Sequence, residues 1–199
     1  VKTFIIDDSG DNYEKAVTIL SEIHDATDHT GAIASHHVEL EELIAAAARV
    51  KAGVVERDEF EMGERRKLNL GHTFAHAIEW EAHNREQSMG EVNAGVHGIS
   101  HGEAVAMGMI MAAEASEYYY ADDKLQPVAV QGLTKKLTED FRHCGLPVEC
   151  LYPITTLAEA MKIDKKSENG IVHFILIRAI GDVRIEDLPV DDVVSWISK

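Results

Sequence analysis

From about residue 38 onward, hydrophobic residues recur at the spacing of an α-helix. One helical face of a first long helix is predicted by Leu40, Leu43, Ile44, Ala47, Val50 and Val54. Similar spacing predicts helices over residues 64–83, 101–120, 128–143 and 189–198, and a short helix opening at Thr156. Residues 171–177 and 183–185 read as strands joined by a turn at Gly181. The pattern predicts a mainly α fold, a multi-helix domain with a small C-terminal β-hairpin.

The first 37 residues differ from the rest of the chain in their pattern of polar and hydrophobic residues. We predict a short strand over residues 3–6, followed by an acidic turn and then by a helix over residues 13–24. Residues 25–37 are polar and predict a loop or linker. We therefore expect an N-terminal appendage or remnant of a preceding domain over residues 1–37, without an assigned role, and a helical metal- and substrate-binding domain over residues 38–199.

Composition narrows the classes of partner. The chain has 199 residues and a net charge of −16, which argues against nucleic acid because neutralising phosphates requires clustered cations. The longest apolar run, residues 104–113, is too short to span a membrane. Two cysteines, Cys144 and Cys150, form no disulfide framework, so we expect a cytoplasmic protein.

Polar residues cluster unusually in the helix predicted over residues 64–83. Arg65, Asn69, His72 and His76 stand at i, i+4, i+7 and i+11, which places them on one side of a continuous helix, the polar stripe. No charged residue lies between Lys67 and Glu79, so we expect this helix to be buried. A buried polar stripe is costly unless each member has a partner. A functional site is favoured, and a satisfied core hydrogen-bond network is the alternative.

Other candidate residues are weak on their own. His101 begins a predicted helix, where the positive end of the macrodipole favours the neutral imidazole that binds metals. Alone it reads as a surface capping residue, but beside His72 it is a plausible second metal ligand. Lys51, near the apolar face of the first long helix, and the Lys165–Lys166 pair before the hairpin are ordinarily solvated cations. No HExxH motif occurs, which disfavours a zincin peptidase.

Three segments together resemble 3-dehydroquinate synthase. Residues 51–79, KAGVVERDEFEMGERRKLNLGHTFAHAIE, look like its signature region. Residues 101–113, HGEAVAMGMIMAA, look like its second signature, and residues 161–182, MKIDKKSENGIVHFILIRAIGD, resemble its C-terminal lysine motif and hairpin. The resemblance covers roughly residues 38–199 and implies the fold of that enzyme's C-terminal helical domain.

The resemblance also implies chemistry. The family cyclises 3-deoxy-arabino-heptulosonate 7-phosphate to 3-dehydroquinate and phosphate in the shikimate pathway, with NAD and a divalent metal, zinc or cobalt. It implies that His72 and His101 are metal ligands and that Lys51, Arg65, Asn69 and His76 contact the substrate. His76 would manage a proton near the leaving group, and one of Lys165 and Lys166 would hold the substrate anion. We further expect a homodimer.

Two family features are not found in the sequence. No strand followed by a Gly-rich loop is present for NAD, and no Ala-Glu-x-x-Lys motif precedes Lys51 to supply a third metal ligand. Residues 84–100 look like a loop insertion between the two signatures. We expect no turnover by this chain alone and consider a separate dinucleotide-binding half as a partner. The alternatives are a related sugar-phosphate cyclase, a metal-dependent polyol dehydrogenase, which needs no anion-binding cations, and a non-catalytic domain.

Overall fold

A computed structural model describes residues 1–8, 11–89, 98–121, 130–164 and 171–197 of the chain. The helices are α1 Lys2–Ile6, α2 Asn12–Asp25, α3 His29–Ser35, α4 His37–Arg57, a 3₁₀ helix Glu64–Asn69, α5 His72–Met89, α6 His101–Tyr120, α7 Leu133–His143, α8 Ile154–Asp164 and α9 Val190–Ile197. Two antiparallel strands, β1 Ile171–Ala179 and β2 Asp182–Pro189, form a hairpin. The prediction of a mainly α fold with a C-terminal hairpin is confirmed.

Helix α6 is the centre of the fold. Every residue from 104 to 113 is buried, and the helix packs against α5, α7, α9 and β1. Its bounds agree with the prediction from its continuous apolar sequence. No helix in the described part of the chain has both the length and the hydropathy that a membrane span needs.

Two glycines bring α5 unusually close to α6. A Cβ added to Gly108 in α6 would overlap the carbonyl oxygen of Gly71, the residue just before α5. Gly71 itself has φ of 78°, a left-handed conformation that an L side chain rarely adopts. The first turn of α5 is therefore held against the middle of α6, which fixes the position of His72.

The β-hairpin is anchored to the same core. Val172, Phe174 and Leu176 are buried along β1, and Phe174 packs against Phe74 of α5. The backbone N–H of Ile177 donates to the buried hydroxyl of Ser116 in α6 at 2.8 Å. The register pairs Ile171 with Pro189 and Ala179 with Asp182 extend the two strands beyond their predicted ends.

The N-terminal segment differs from the prediction. Residues 3–6 lie in helix α1, not in a strand, and Phe4, Ile5 and Ile6 are buried in the common core. Their unbroken apolar run fits a fully buried short helix as well as a strand, so periodicity alone did not separate the two. The backbone N–H of Gly181 donates to the carbonyl of Ile5, which ties α1 to the hairpin turn. The division of the chain at residue 37 stays a prediction.

The predicted loop over residues 25–37 is also wrong. It contains α3, whose N-cap Asp28 accepts a hydrogen bond from the N–H of Gly31, and the first residue of α4. Helix α4 buries only Leu43 and Val54 fully, whereas Ile44 is 68% exposed, so the predicted apolar face is only partly used. Helix α5 continues to Met89, into the segment predicted as a loop.

Helix α5 begins later than predicted. Residues 64–69 form the 3₁₀ helix, and the left-handed Gly71 separates it from α5. The polar stripe therefore does not lie on one continuous helix, because Arg65 and Asn69 precede the break and His72 and His76 follow it. The short helix that was predicted to open at Thr156 begins two residues earlier, at Ile154.

Candidate functional site

A pocket of about 340 Å³ lies where α1, α4, the 3₁₀ helix and the start of α5 meet. Its lining is rich in polar and charged side chains and consists of Lys2, Thr3, Ile6, Lys51, Glu61, Arg65, Leu68, Asn69 and His72. Four of these residues, Lys51, Arg65, Asn69 and His72, are site residues predicted from the sequence. The structure thus brings residues from α4, the 3₁₀ helix and α5 to one cavity.

Three cations and one carboxylate line this pocket, although the whole chain carries a net charge of −16. The Lys2 ammonium donates to the carbonyl of Leu68 at 2.9 Å. Burial, and secondarily the charge of Lys51, lower the pKa of Lys2 from its ordinary value. A local excess of positive charge of this kind favours binding of a small anion.

Among the lining residues that the structure describes, Lys2 is the one cation that the sequence analysis missed. Its neighbours Phe4 and Ile5 were assigned to a strand with no role, and no local motif distinguishes this lysine from other surface lysines. Only the packing of α1 beside α4 and the 3₁₀ helix brings Lys2 to Leu68, far away in sequence. The place of Lys2 at the pocket therefore follows from tertiary packing and not from a local sequence motif.

A tight loop positions Arg65 at the pocket. The Asp58 carboxylate accepts hydrogen bonds from the backbone N–H groups of Met62, Gly63 and Arg65 at 2.8–2.9 Å. These bonds favour the ionised carboxylate, which lowers the pKa of Asp58 from its ordinary value of 3.8. The Arg65 guanidinium in turn donates to the carbonyl of Glu59 at 2.7 Å.

Glu61 lies at the tip of the same loop. Its backbone has φ of 56°, which is uncommon for a residue other than glycine. Its carboxylate accepts a hydrogen bond from the side-chain amide of Asn69 at 2.9 Å. The strained loop therefore places one acceptor beside the three cations and fixes the orientation of the Asn69 amide.

Three histidines lie together next to the pocket. The ring centroids of His72 and His101 are 5.2 Å apart, and those of His72 and His76 are 5.7 Å apart. His72 is half-buried, and this burial, with the charge of Lys2 as a secondary cause, lowers the pKa of its imidazole below 6.5. The neutral form, which can coordinate a metal, is therefore favoured at His72.

Hydrogen bonds set the tautomers of two of these rings. The Nδ1 atom of His72 lies 3.1 Å from the carbonyl oxygen of Leu70, and Nδ1 of His101 lies 3.0 Å from a carboxylate oxygen of Glu79. Both partners only accept, so each Nδ1 carries the proton and donates it. In the neutral form of each ring, Nε2 then keeps a lone pair, which is the donor that a divalent zinc or cobalt ion requires.

The polar stripe is not buried, contrary to the expectation. Asn69 and His76 are exposed, and Arg65 and His72 are partly buried. The uncharged part of α5 buries its other side, with Phe74, Ala75 and Ile78, and leaves the histidines on the open side. Open space at the stripe explains how its members avoid the cost of burial, and it leaves room for a ligand.

The predicted metal ligands His72 and His101 lie among the described residues, whereas the lysine pair that was predicted to hold the substrate anion does not. Among these residues, no three His, Cys, Asp or Glu side chains are grouped closely enough to hold a metal ion. The two imidazoles of His72 and His101 fit a divalent metal by donor type. Lys165 and Lys166 lie outside the described residues.

Comparisons with known proteins agree with the fold and the motifs. Residues 14–167 match the family described as 3-dehydroquinate synthase C-terminal. The chain is 36% identical over 152 residues to the 3-dehydroquinate synthase of Geobacillus kaustophilus, covering 75% of this chain and 36% of that protein. It is 38% identical over 149 residues to the enzyme of the same name from Pyrococcus abyssi, covering 75% of this chain and 38% of that protein. The resemblance found in the three sequence segments is therefore confirmed.

Two solved structures share the fold. A 2-deoxy-scyllo-inosose synthase complexed with carbaglucose-6-phosphate, NAD+ and Co2+ aligns with a TM-score of 0.62 at 20% identity, covering 99% of this chain and 48% of that one. The 2-epi-5-epi-valiolone synthase ValA of Streptomyces hygroscopicus subsp. jinggangensis, with NAD+ and Zn2+ bound, aligns with a TM-score of 0.64 at 18% identity, covering 98% and 47%. This chain thus spans less than half the length of the proteins that it matches.

Proposed function

Because the chain belongs to the 3-dehydroquinate synthase C-terminal family, we propose that it is the helical catalytic lobe of a 3-dehydroquinate synthase. The lobe contributes to closing 3-deoxy-arabino-heptulosonate 7-phosphate into 3-dehydroquinate with loss of phosphate. The observation that carries the proposal is the meeting of Lys2, Lys51 and Arg65 in one pocket beside the imidazoles of His72 and His101.

The cations bind the two anionic groups of the substrate. A heptulosonate phosphate carries a phosphate and a carboxylate, and three cations with one nearby acceptor match that charge. Arg65 is suited to a bidentate contact with either group, whereas Lys2 and Lys51 act as point charges. Asn69, oriented by Glu61, binds a substrate hydroxyl. One of Lys165 and Lys166 completes the anion site in this proposal.

His72 and His101 would hold a divalent cation, zinc or cobalt, through their Nε2 atoms. When bound, that cation polarises substrate oxygens, and NAD accepts the hydride that the oxidation step releases. The described residues supply no assigned contact to NAD. His76, one turn after His72, exchanges a proton with the leaving phosphate, and its exposed position gives it access to a substrate in the pocket.

The competing functions make different demands on this pocket. A polyol dehydrogenase binds a neutral alcohol and has no use for three cations at its site. Related sugar-phosphate cyclases share the fold, but the two structures above are only 18–20% identical to this chain, whereas the dehydroquinate synthases reach 38%. The synthase function is therefore favoured. The cytoplasmic location and the homodimer stay predictions.

Ligand binding by the chain tests this proposal without requiring turnover. Isothermal titration calorimetry would compare heptulosonate phosphate with glucose 6-phosphate, which has no carboxylate. We expect tighter binding of the heptulosonate phosphate, and a loss of that preference in Arg65→Met. Arg49→Met, on the exposed side of α4, is the matched control and should bind as the unaltered chain does. Equal affinity for both ligands would overturn the assignment in favour of another cyclase, and binding of neither would favour a non-catalytic domain.

A further inference from the structure

We propose that Glu79 is a positioning residue for the metal site: it fixes the tautomer and orientation of His101 and thereby raises metal affinity. The inference rests on the proposed function, because it takes His72 and His101 as the ligands. Neither the motifs quoted above nor the comparisons assign a role to Glu79. The observation that carries it is the 3.0 Å hydrogen bond between Nδ1 of His101 and the Glu79 carboxylate, which joins two helices.

Glu79 lies on the same side of α5 as the two histidines. His72, His76 and Glu79 stand at i, i+4 and i+7, so their side chains emerge from one face of this helix. His101 comes from a different helix, as the first residue of α6. The glycine contact between Gly71 and Gly108 holds the two helices together. The Glu79 carboxylate is thus placed to reach across from the face that carries His72.

The backbone of His101 is held independently of its ring. Ser100 and Glu103 form a capping box at the start of α6, in which the N–H of Ser100 donates to the Glu103 carboxylate at 2.8 Å. This fixes the main chain at His101 but leaves its side chain free to rotate about χ1 and χ2. The His101 side chain is 59% exposed, so packing constrains it little. The hydrogen bond to Glu79 and the ring contact with His72 therefore restrain the ring.

An ionised carboxylate is only an acceptor, so Glu79 requires a proton on Nδ1 of His101, and in the neutral ring this leaves the lone pair on Nε2. At His72 the carbonyl of Leu70 has the same effect through the backbone. The two ligands are thus prepared by equivalent hydrogen bonds, one from the main chain and one from a side chain. Only the second can be removed by substitution, which makes Glu79 the testable half.

An ordinary surface ion pair is the competing interpretation. Glu79 is 33% exposed, and such pairs commonly contribute little. That interpretation predicts no change in metal affinity when Glu79 is replaced. A positioning role predicts an effect on both metal affinity and the tautomer of His101, and the second can be measured without any metal.

The experiment combines metal titration with NMR on the full 199-residue chain. Glu79→Ala and Glu79→Gln would be compared with Glu81→Gln, which removes one charge from the same helix at a carboxylate bonded to Arg85 instead of to a histidine. Calorimetry would measure Zn²⁺ and Co²⁺ affinity. Long-range ¹H–¹⁵N spectra of the metal-free chain at about pH 8, where imidazoles are neutral, would report which nitrogen of His101 carries the proton. Circular dichroism would establish that each variant is folded.

We expect the Nδ1–H tautomer at His101 in the unaltered chain and a mixture of tautomers in Glu79→Ala. Metal affinity should fall about 10–100-fold in Glu79→Ala, and by less in Glu79→Gln, whose amide oxygen still accepts from Nδ1. Glu81→Gln should change neither quantity. If the unaltered chain binds metal and Glu79→Ala binds it equally well, the inference is overturned while the proposed function stands. If the unaltered chain binds no metal, the metal assignment in the proposed function fails, and an unchanged tautomer in Glu79→Ala would then overturn the positioning role as well.

Discussion

His72 and His101 lie ring to ring, with 5.2 Å between their centroids, although they belong to different helices. Removing either imidazole should therefore reduce metal binding. Removal of a hydrogen-bond partner of a metal ligand costs about 10–100-fold in metal affinity. Because His72→Ala removes a ligand itself, we expect its Zn²⁺ or Co²⁺ affinity to fall by at least that factor. His143→Ala, at the exposed end of α7, is the control. Equal metal affinity in His72→Ala and His143→Ala, measured by calorimetry, would refute the ligand assignment.

Lys2 should contribute to anion binding although no sequence motif marks it. Its ammonium lines the pocket close enough to Lys51 for the two charges to interact. Removing a charge-assisted hydrogen bond costs about 1.5–3 kcal/mol, so Lys2→Met should bind inorganic phosphate roughly 10–100-fold more weakly. Lys135→Met, whose side chain is 80% exposed, is the matched control. A Lys2→Met chain that binds phosphate as Lys135→Met does would exclude Lys2 from the anion site.

Because α5 packs closely on α6, we predict opposite effects on stability when two glycines of α6 are replaced by alanine. Gly108→Ala puts a Cβ into the carbonyl of Gly71 and should lower the free energy of unfolding by at least about 1–3 kcal/mol. Gly102→Ala meets no atom within 4 Å and should stabilise α6 by about 0.5–1 kcal/mol. Urea unfolding of the two variants tests the contact. A Gly108→Ala chain as stable as the unaltered one would mean that the helices are further apart.

The Asp58 loop predicts a pH dependence with a definite sign. Hydrogen bonds lower the folded-state pKa of Asp58 below 3.8, so its ionised form stabilises the folded chain above that value. The contribution is lost as the pH falls and the carboxyl takes up a proton. Asp58→Asn should be less stable than the unaltered chain near neutral pH, and the difference should shrink below about pH 4. A difference in urea midpoint that is constant with pH would contradict this account.

The parts of the fold that were predicted correctly are those set by local pattern. Three segments form the structure that their own sequence pattern predicts. They are the apolar run of α6, the periodic face of α7 with Leu137 and Phe141, and the strand before Gly181. The errors have tertiary causes. Gly71 breaks the helix because its backbone must approach Gly108, and that contact is invisible in the helical period of residues 64–83.

The candidate site divides in the same way. Residues in the long motifs, such as Arg65 and His72, were found because several polar groups recur within one segment. Lys2 and Glu79 were not found, since each owes its place to a contact with a distant segment, Leu68 for one and His101 for the other. Spacing along a helix showed which side chains share a face. It did not show that the face borders an open pocket.

The last prediction is that the 199-residue chain alone converts no measurable heptulosonate phosphate, even with NAD and zinc supplied. In the proposed reaction the first step is hydride transfer, which requires the nicotinamide to be held against the reacting carbon. In the described part of the chain no Gly-rich loop follows a strand, and the chain spans only 36–38% of the 3-dehydroquinate synthases reported above.

A cofactor that is free in solution forfeits much of the proximity advantage, which reaches roughly 7–11 kcal/mol. We expect the loss of that advantage to reduce turnover beyond detection. Phosphate release would be followed for the chain alone and after addition of a separately expressed dinucleotide-binding half of a related synthase. We expect turnover only in the mixture, and there only if the two lobes dock. His76→Ala should reduce it by about 10²–10⁴-fold, because His76 is proposed to exchange a proton with the leaving phosphate. Robust phosphate release by the chain alone would mean either that it holds a nicotinamide site of its own or that the reaction does not begin with oxidation.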